Sequence, residues 1–243
     1  MKFFRKSRFN SLTSSSIKKY IGYAIGEILL VTIGILIAIW VNNYYREQDL
    51  NSERLKTLNS ISASIEADKK EIKRVIESWK ENDSLIIKIL YETKSDEPIK
   101  NCESCKDVLY GLSFPYINEK VILQIDKLPT VADSISVITD RLALDYTAFL
   151  EVKETYDELG TGVVTENLEY LKSNTKWFAA FLSKGECDDD CLEYHNESND
   201  FRNRVAYLEL IFYDAYQYEL ITLYKKINEL NELLSEQIIK LDS

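Results

Sequence analysis

One stretch governs what this chain can become. From Ile21 to Val41 it reads IGYAIGEILLVTIGILIAIWV, 21 residues of which twelve are Ile, Leu or Val and one, Glu27, is ionisable. As a helix rising 1.5 Å per residue, the run covers about 31 Å, the hydrocarbon thickness of a bilayer. At roughly −0.3 to −0.6 kcal/mol apiece the aliphatic side chains favour insertion by about 5 kcal/mol, more than the roughly 2 to 3 kcal/mol that an off-centre Glu27 costs. A transmembrane helix over residues 20–41 is therefore expected, with the lipid bilayer as its first partner.

The flanks of the run orient it. Tyr20 and Tyr23 mark one interface, and Trp40, Tyr44 and Tyr45 the other, because amphipathic rings prefer the headgroup level. Lys2, Arg5, Lys6, Arg8, Lys18 and Lys19 precede the span with no acid among them, whereas Arg46 on the far flank is accompanied by Glu47, Asp49 and Glu53. The positive-inside rule makes residues 1–19 a basic cytoplasmic tail and puts residues 42–243 across the membrane. A cleavable signal would carry an apolar core of about 7 to 15 residues ending at small side chains. This core is longer and runs into Trp40-Val41-Asn42-Asn43-Tyr44, so an uncleaved anchor is the expectation.

The net charge of −10 hides this asymmetry, since removing the six N-terminal cations leaves −16 for everything after residue 19. So acidic a domain repels nucleic acid, and no nucleic-acid partner is expected. Its length suits one domain with its own core.

A resemblance narrows the compartment. Tyr23-Ala24-Ile25-Gly26-Glu27-Ile28-Leu29-Leu30-Val31 and Ile33-Gly34-Ile35-Leu36-Ile37-Ala38, after a MKFFRK start and before Asn42-Asn43, resemble the anchor of an uncharacterised Gram-negative bacterial family whose members carry a domain of unknown function. The likeness covers residues 1–47, and beyond them Tyr156-Asp157-Glu158-Leu159-Gly160 and Phe201-Arg202-Asn203 are similar to weaker family features. Trp40-Val41 stand where relatives usually carry Gln-Ile, and Tyr44 where they carry Trp. The resemblance implies an inner-membrane anchor and a periplasmic C-terminal domain, and it implies no activity.

Beyond the span, seven Gly and three Pro in the whole chain leave few obligatory breaks, which favours long helices. Leu58, Ile61, Ile65, Ile72, Val75 and Trp79 fall three, four or seven apart, one helical stripe from Tyr45 to about Thr93 that continues the membrane helix as a stalk. Residues 94–116 read as a loop. A second helix is expected over Val131–Leu159, ended by Gly160 and Gly162, then a third from Thr165 to about Ser183 and a fourth from Glu193 or Asn199 to Leu241. The fold class is thus all-α, with an N-terminal transmembrane helix continuing into an antiparallel four-helix-bundle-like periplasmic domain. That topology places the loops at 94–116 and 184–197 at one distal end and the glycine turn nearer the bilayer.

Those two loops hold all four cysteines, Cys102 and Cys105 in one and Cys187 and Cys191 in the other. Four thiols at one tip can form two disulfides or one four-sulfur zinc site. An oxidising periplasm favours disulfides, with connectivity open among three patterns, so no metal and no cofactor is expected. Glu186, Asp188, Asp189, Asp190 and Glu193 read as a solvated acidic turn, lacking the glycine and terminal glutamate of a calcium loop. His195 is the only histidine, and neither a phosphate cradle nor a nucleophile elbow is present, so an enzyme is not expected. The aromatics Phe201, Tyr207, Phe212, Tyr213, Tyr216, Tyr218 and Tyr224 read as core.

Within the span, Gly22 and Gly26 make a GxxxG step continued by Gly34 and Ala38, and Glu27 borders that ridge. Small residues at this spacing let two helix backbones approach, and an ionisable group within a span is a candidate functional position. A homodimer or a partner membrane protein is the expected company. Together these features suggest a membrane-anchored periplasmic interaction or scaffold module of unknown biochemical activity, with a small-ligand sensor or an accessory subunit acting through a partner as the alternative.

Overall fold

The computed structural model describes residues 14–91, 105 and 107–242, with side-chain surroundings from residue 24 onward. Among these residues there is no β-strand. Helix α1, Ser14–Tyr91, is followed by α2, Lys120–Ile125, and α3, Ser134–Asn174; then come α4, Phe178–Lys184, and α5, Asp189–Glu197. Helix α6, Asn199–Leu208, passes through a π-helical segment, Glu209–Tyr216, into α7, Gln217–Asp242.

The chain divides into two compact units, residues 1–54 and 55–243, and α1 contributes to both without interruption. In the first unit the helix has an 18-residue window of mean hydropathy 2.5, none of it buried by other parts of the chain. It is long and apolar enough to cross a membrane. Trp40 stacks on Tyr44 at 6.0 Å between ring centroids, and Tyr45 meets Tyr44 edge-on.

In the second unit the apolar stripe of α1 does what its spacing requires. Leu58, Ile61, Ile65, Ile72, Val75, Trp79, Ile86 and Ile89 are all fully buried, because positions three and four apart share one helix face. Contacts fix the direction of the partners. Lys226 pairs with Asp145 at 2.7 Å, Tyr216 donates to Asp157 at 2.8 Å, and Arg204 donates to Asn167 at 2.9 Å. Rising numbers on one side against falling numbers on the other make α3 and the α6–α7 run antiparallel. Tyr146 of α3 donates to Asp68 of α1, and Trp79 and Tyr156 both pack on Tyr216, so this part of α1 runs parallel to α3.

Between them the chain returns along α1 as an extended strap. Trp79 Nε1 donates to the Ser113 carbonyl at 2.9 Å, the Tyr116 amide to Glu71 at 3.0 Å, and Gln124 to Ser60 at 2.7 Å. The side chains of Trp79, Asn82 and Glu71 supply partners to backbone groups that an extended leg would otherwise leave unsatisfied. Pro115 and Ile117 are buried on the strap, and Val121 and Ile125 anchor α2.

This arrangement corrects the expected bundle in two places. The leg after α1 is a strap with one short helix, and the expected second helix and the first half of the third are the single 41-residue helix α3, the rest of the third being the separate α4. Gly160 and Gly162 are helical, so there is no glycine turn. The reason is packing: a Cβ built on Gly160 would lie 2.1 Å from Cζ of Phe212 and 2.9 Å from Cε1 of Phe114, whereas one on Gly162 meets nothing within 4 Å. Gly160 is a hole into which two phenyl rings fit.

Opposite it the helix changes character. Ile211, Phe212 and Tyr213 are consecutive and all buried, which the 3.6-residue period of an α-helix accommodates poorly. The wider i→i+5 turn of a π segment re-aims the stripe, so that Phe201, Val205 and Leu208 before it and Leu220, Leu223 and Ile227 after it both face the core. Of the aromatics assigned to the core, Phe201, Phe212, Tyr213 and Tyr216 are there, while Tyr207 and Tyr218 are exposed.

Candidate functional site

Chemistry-bearing side chains concentrate at the end of the second unit where α3 gives way to α4 and α5. Helix α4 stops at Gly185, whose φ of +70° is the left-handed conformation that ends a helix, with its amide on the Phe181 carbonyl at 2.9 Å. A Cβ there is strained by the backbone alone, so Gly185→Ala is expected to cost about 1 kcal/mol in thermal or denaturant unfolding. The chain then reaches Asp188, which caps α5 by accepting the Cys191 amide at 3.0 Å. Asp189 and Asp190 lie in the first turn, where carboxylates complement the helix dipole. Capping and the helix dipole thus account for Asp188, Asp189 and Asp190.

Cys187 and Cys191 are joined as a disulfide, with 5.2 Å between their Cα atoms. The pairing is local, so it closes a ring of a few residues and constrains the unfolded chain little. Cys105 is fully buried and also disulfide-bonded; Cys102 lies outside the described residues. Both cysteine-bearing segments meet at this end, since the Leu109 carbonyl accepts from Asn167 at 3.2 Å and the Tyr110 ring packs edge-on against Phe181.

His195 follows Cys191 by one turn. It is 1% exposed and boxed by Trp177, Phe181, Tyr194 and Phe201, with ring centroids 4.9–5.8 Å away. Its Nδ1 lies 2.8 Å from the Cys191 carbonyl oxygen and 3.7 Å from Cys191 Sγ. The sequence carried a signal for this cluster, namely three soft-ligand residues spaced four apart at 187, 191 and 195. Reading the histidine apart from the cysteines misses it.

Beside this box a polar chain ties three segments together. Tyr194 and Arg204 both donate to Asp200, at 2.8 and 2.9 Å; Arg204 also reaches Asn167 and lies over the Tyr170 ring at 4.0 Å from its centroid. Burial and the neighbouring Asp200 carboxylate push the Tyr194 phenol well above its ordinary range, so it remains a donor.

Asp68 is a half-buried carboxyl of the unit. Desolvation raises its pKa, and the hydrogen bond from Tyr146 opposes that only in part. A folded-state value above the unfolded one of about 3.9 means that the folded chain holds the proton more tightly. That contribution is fully present below the unfolded value and lost as pH rises through the folded one, so ionised Asp68 weighs against folding at neutral pH. Asp68→Asn, which keeps an acceptor for Tyr146, is expected to raise Tm at pH 7 and to leave it unchanged near pH 3. A lower Tm at pH 7 would contradict this reading of Asp68.

An open groove of 780 Å³ runs between α2 and α3, lined by Ile122, Leu123 and Leu150 with Glu119, Asp126, Glu151, Glu154, Asp157 and Glu158 around Lys153. Lys153 is paired with Asp157. In the first unit, a methyl group added at Gly26 or at Gly34 would meet nothing within 4 Å, and Glu27 and Ala38 are exposed on the same helix. The surroundings of Gly22 lie outside the described residues. No family model, curated protein or solved structure matches the chain.

Proposed function

We propose that this chain is a single-pass inner-membrane protein of the anchor type its N-terminus resembles. Its first 19 residues face the cytoplasm, and its helical unit, on the periplasmic side, works as a protein-interaction or scaffold module. The observation that carries the proposal is the apolar window of mean hydropathy 2.5 with no part of it buried. Exposing Ile28, Leu30, Leu36 and Trp40 by half or more to water opposes the hydrophobic effect, and lipid removes that cost.

The scaffold reading draws support from the second unit. Several of its buried and half-buried titratable side chains pair with one another, as in Tyr146–Asp68, Tyr216–Asp157 and Arg204–Asp200. The α2–α3 groove is open and acidic, which suits a surface contact better than the enclosed apolar pocket of a small-ligand sensor. In the anchor, the ridge of Gly26, Gly34 and Ala38 bordered by Glu27 is the face we assign to pairing with a second span.

Alkaline carbonate extraction of native membranes tests the anchoring, and the chain is expected to stay in the membrane pellet. Disulfide trapping through a cysteine at Gly26 tests the pairing: a crosslinked dimer or heterodimer that weakens in Glu27→Leu is the expected result. Release by carbonate would overturn the anchor, and absence of any trapped pair would overturn the pairing.

A further inference from the structure

We infer that Cys187, Cys191 and His195 form a binding site for a thiophilic divalent cation of the zinc class, which the Cys187–Cys191 disulfide keeps closed. The ligand atoms of all three residues lie within 4.8 Å of one another. Around a tetrahedral ion with metal–sulfur and metal–nitrogen bonds of about 2.3 and 2.0 Å, neighbouring ligand atoms are about 3.5–3.8 Å apart. In the closed form His195 Nδ1 donates to the Cys191 carbonyl at 2.8 Å; loading shifts that proton to Nε2 and turns the Nδ1 lone pair to the ion, 3.7 Å from Cys191 Sγ.

The disposition of the residues favours such a site over a chance cluster. Two ligands, Cys191 and His195, are at most 1% exposed, and both sit on α5, so their spacing is set by the helix. The four-ring box around His195 fixes the imidazole plane. Cys187 lies before the Asp188 cap and is half-buried, so once the bond to Cys191 is broken the helix does not hold its sulfur in place. Two thiolates neutralise a divalent cation, which removes the penalty of burying either charge alone. Asp188, Asp189 and Asp190 stand exposed to solvent beside Cys187 and raise the local cation concentration there.

The chemistry balances in two steps. A dithiol reductant gives two electrons and two protons to the Cys187–Cys191 bond, becoming a disulfide itself and leaving two thiols. The cation then displaces the two thiol protons, and binds both sulfurs and one imidazole nitrogen, with solvent in the fourth position. Oxidised and metal-loaded forms thus exclude each other at one place.

The test uses the full-length protein in detergent with cobalt(II) as the spectroscopic probe. After reduction with a phosphine, one cobalt per chain should bind with a sulfur-to-metal charge-transfer band and the intense visible bands of a tetrahedral site, and one equivalent of zinc should erase them. Unreduced protein should show neither. Cys187→Ser and His195→Gln should each weaken cobalt binding tenfold or more, with circular dichroism confirming that the helices persist. Cys102→Ser/Cys105→Ser should bind within threefold of the parent. Reduced protein without the charge-transfer band overturns the inference, as does binding that survives Cys187→Ser, or that fails in Cys102→Ser/Cys105→Ser.

Discussion

Replacing Gly160 by alanine is expected to destabilise the helical unit by about 1–3 kcal/mol, whereas the same change two residues later, at Gly162, is expected to stabilise it by about 0.5–1 kcal/mol. Both glycines lie inside α3, and both substitutions gain the same helix propensity. They differ in what the new methyl meets. At 160 it would sit 2.1 Å from Cζ of Phe212, a ring locked between Phe114, Trp79 and Tyr216 with centroid separations of 5.7, 5.8 and 6.3 Å. No flexible chain end is there to move aside, so overpacking outweighs propensity. Gly160→Ala/Phe212→Leu should recover part of the loss, and urea unfolding of the four proteins measures the coupling. Two alanines of equal effect would mean that α3 and the π segment do not meet as described.

Trp79→Ala is expected to have the largest effect of any single core substitution discussed, a loss of about 3–5 kcal/mol. The indole is fully buried, packs on Phe212, Tyr213 and Tyr216, and through Nε1 satisfies the Ser113 carbonyl of the strap. Truncation therefore leaves a cavity and an unpaired carbonyl together. Trp79→Phe separates the terms: it keeps most of the apolar contact and should cost about 1–3 kcal/mol, chiefly for the lost hydrogen bond. Hydrogen exchange should then show the amides of 111–118 losing protection before those of α3. Uniform loss across the unit would contradict a strap held by this side chain.

How far these features were legible follows from the physics of each. The α1 stripe was readable residue by residue, because a three-and-four spacing has one structural solution, and all six of its first members are fully buried. The α3 stripe was equally regular, with Leu142, Tyr146 and Phe149 on one side of the glycines and Val163, Asn167 and Leu171 on the other. Gly160 falls in register with both halves. Treating it as a helix stop followed its intrinsic preference and overlooked the period running through it. The strap was hidden because an extended leg with side-chain partners has no periodicity. The π segment was hidden because it is a repair of the stripe made necessary only by what it packs against.

The cysteines illustrate a different limit. Composition and compartment pointed to disulfides, and Cys187–Cys191 is one, but spacing could not choose between local and long-range pairing. The four-residue spacing sets His195 beside Cys191, but the topology could not show that the pair would be enclosed in an aromatic box. That box depends on Trp177 and Phe181 of the α4 turn and Phe201 of α6 closing on α5.

Compartment, thiol chemistry and scaffold role all depend on the apolar run of the first unit residing in lipid with the basic tail in the cytoplasm. Fusing alkaline phosphatase and green fluorescent protein separately after Ser243 in a Gram-negative host tests this most directly. An active phosphatase and a dark fluorescent fusion, both retained with the membranes, are the expected results. A fluorescent fusion with an inactive phosphatase would place the helical unit in the cytoplasm and contradict the proposed orientation.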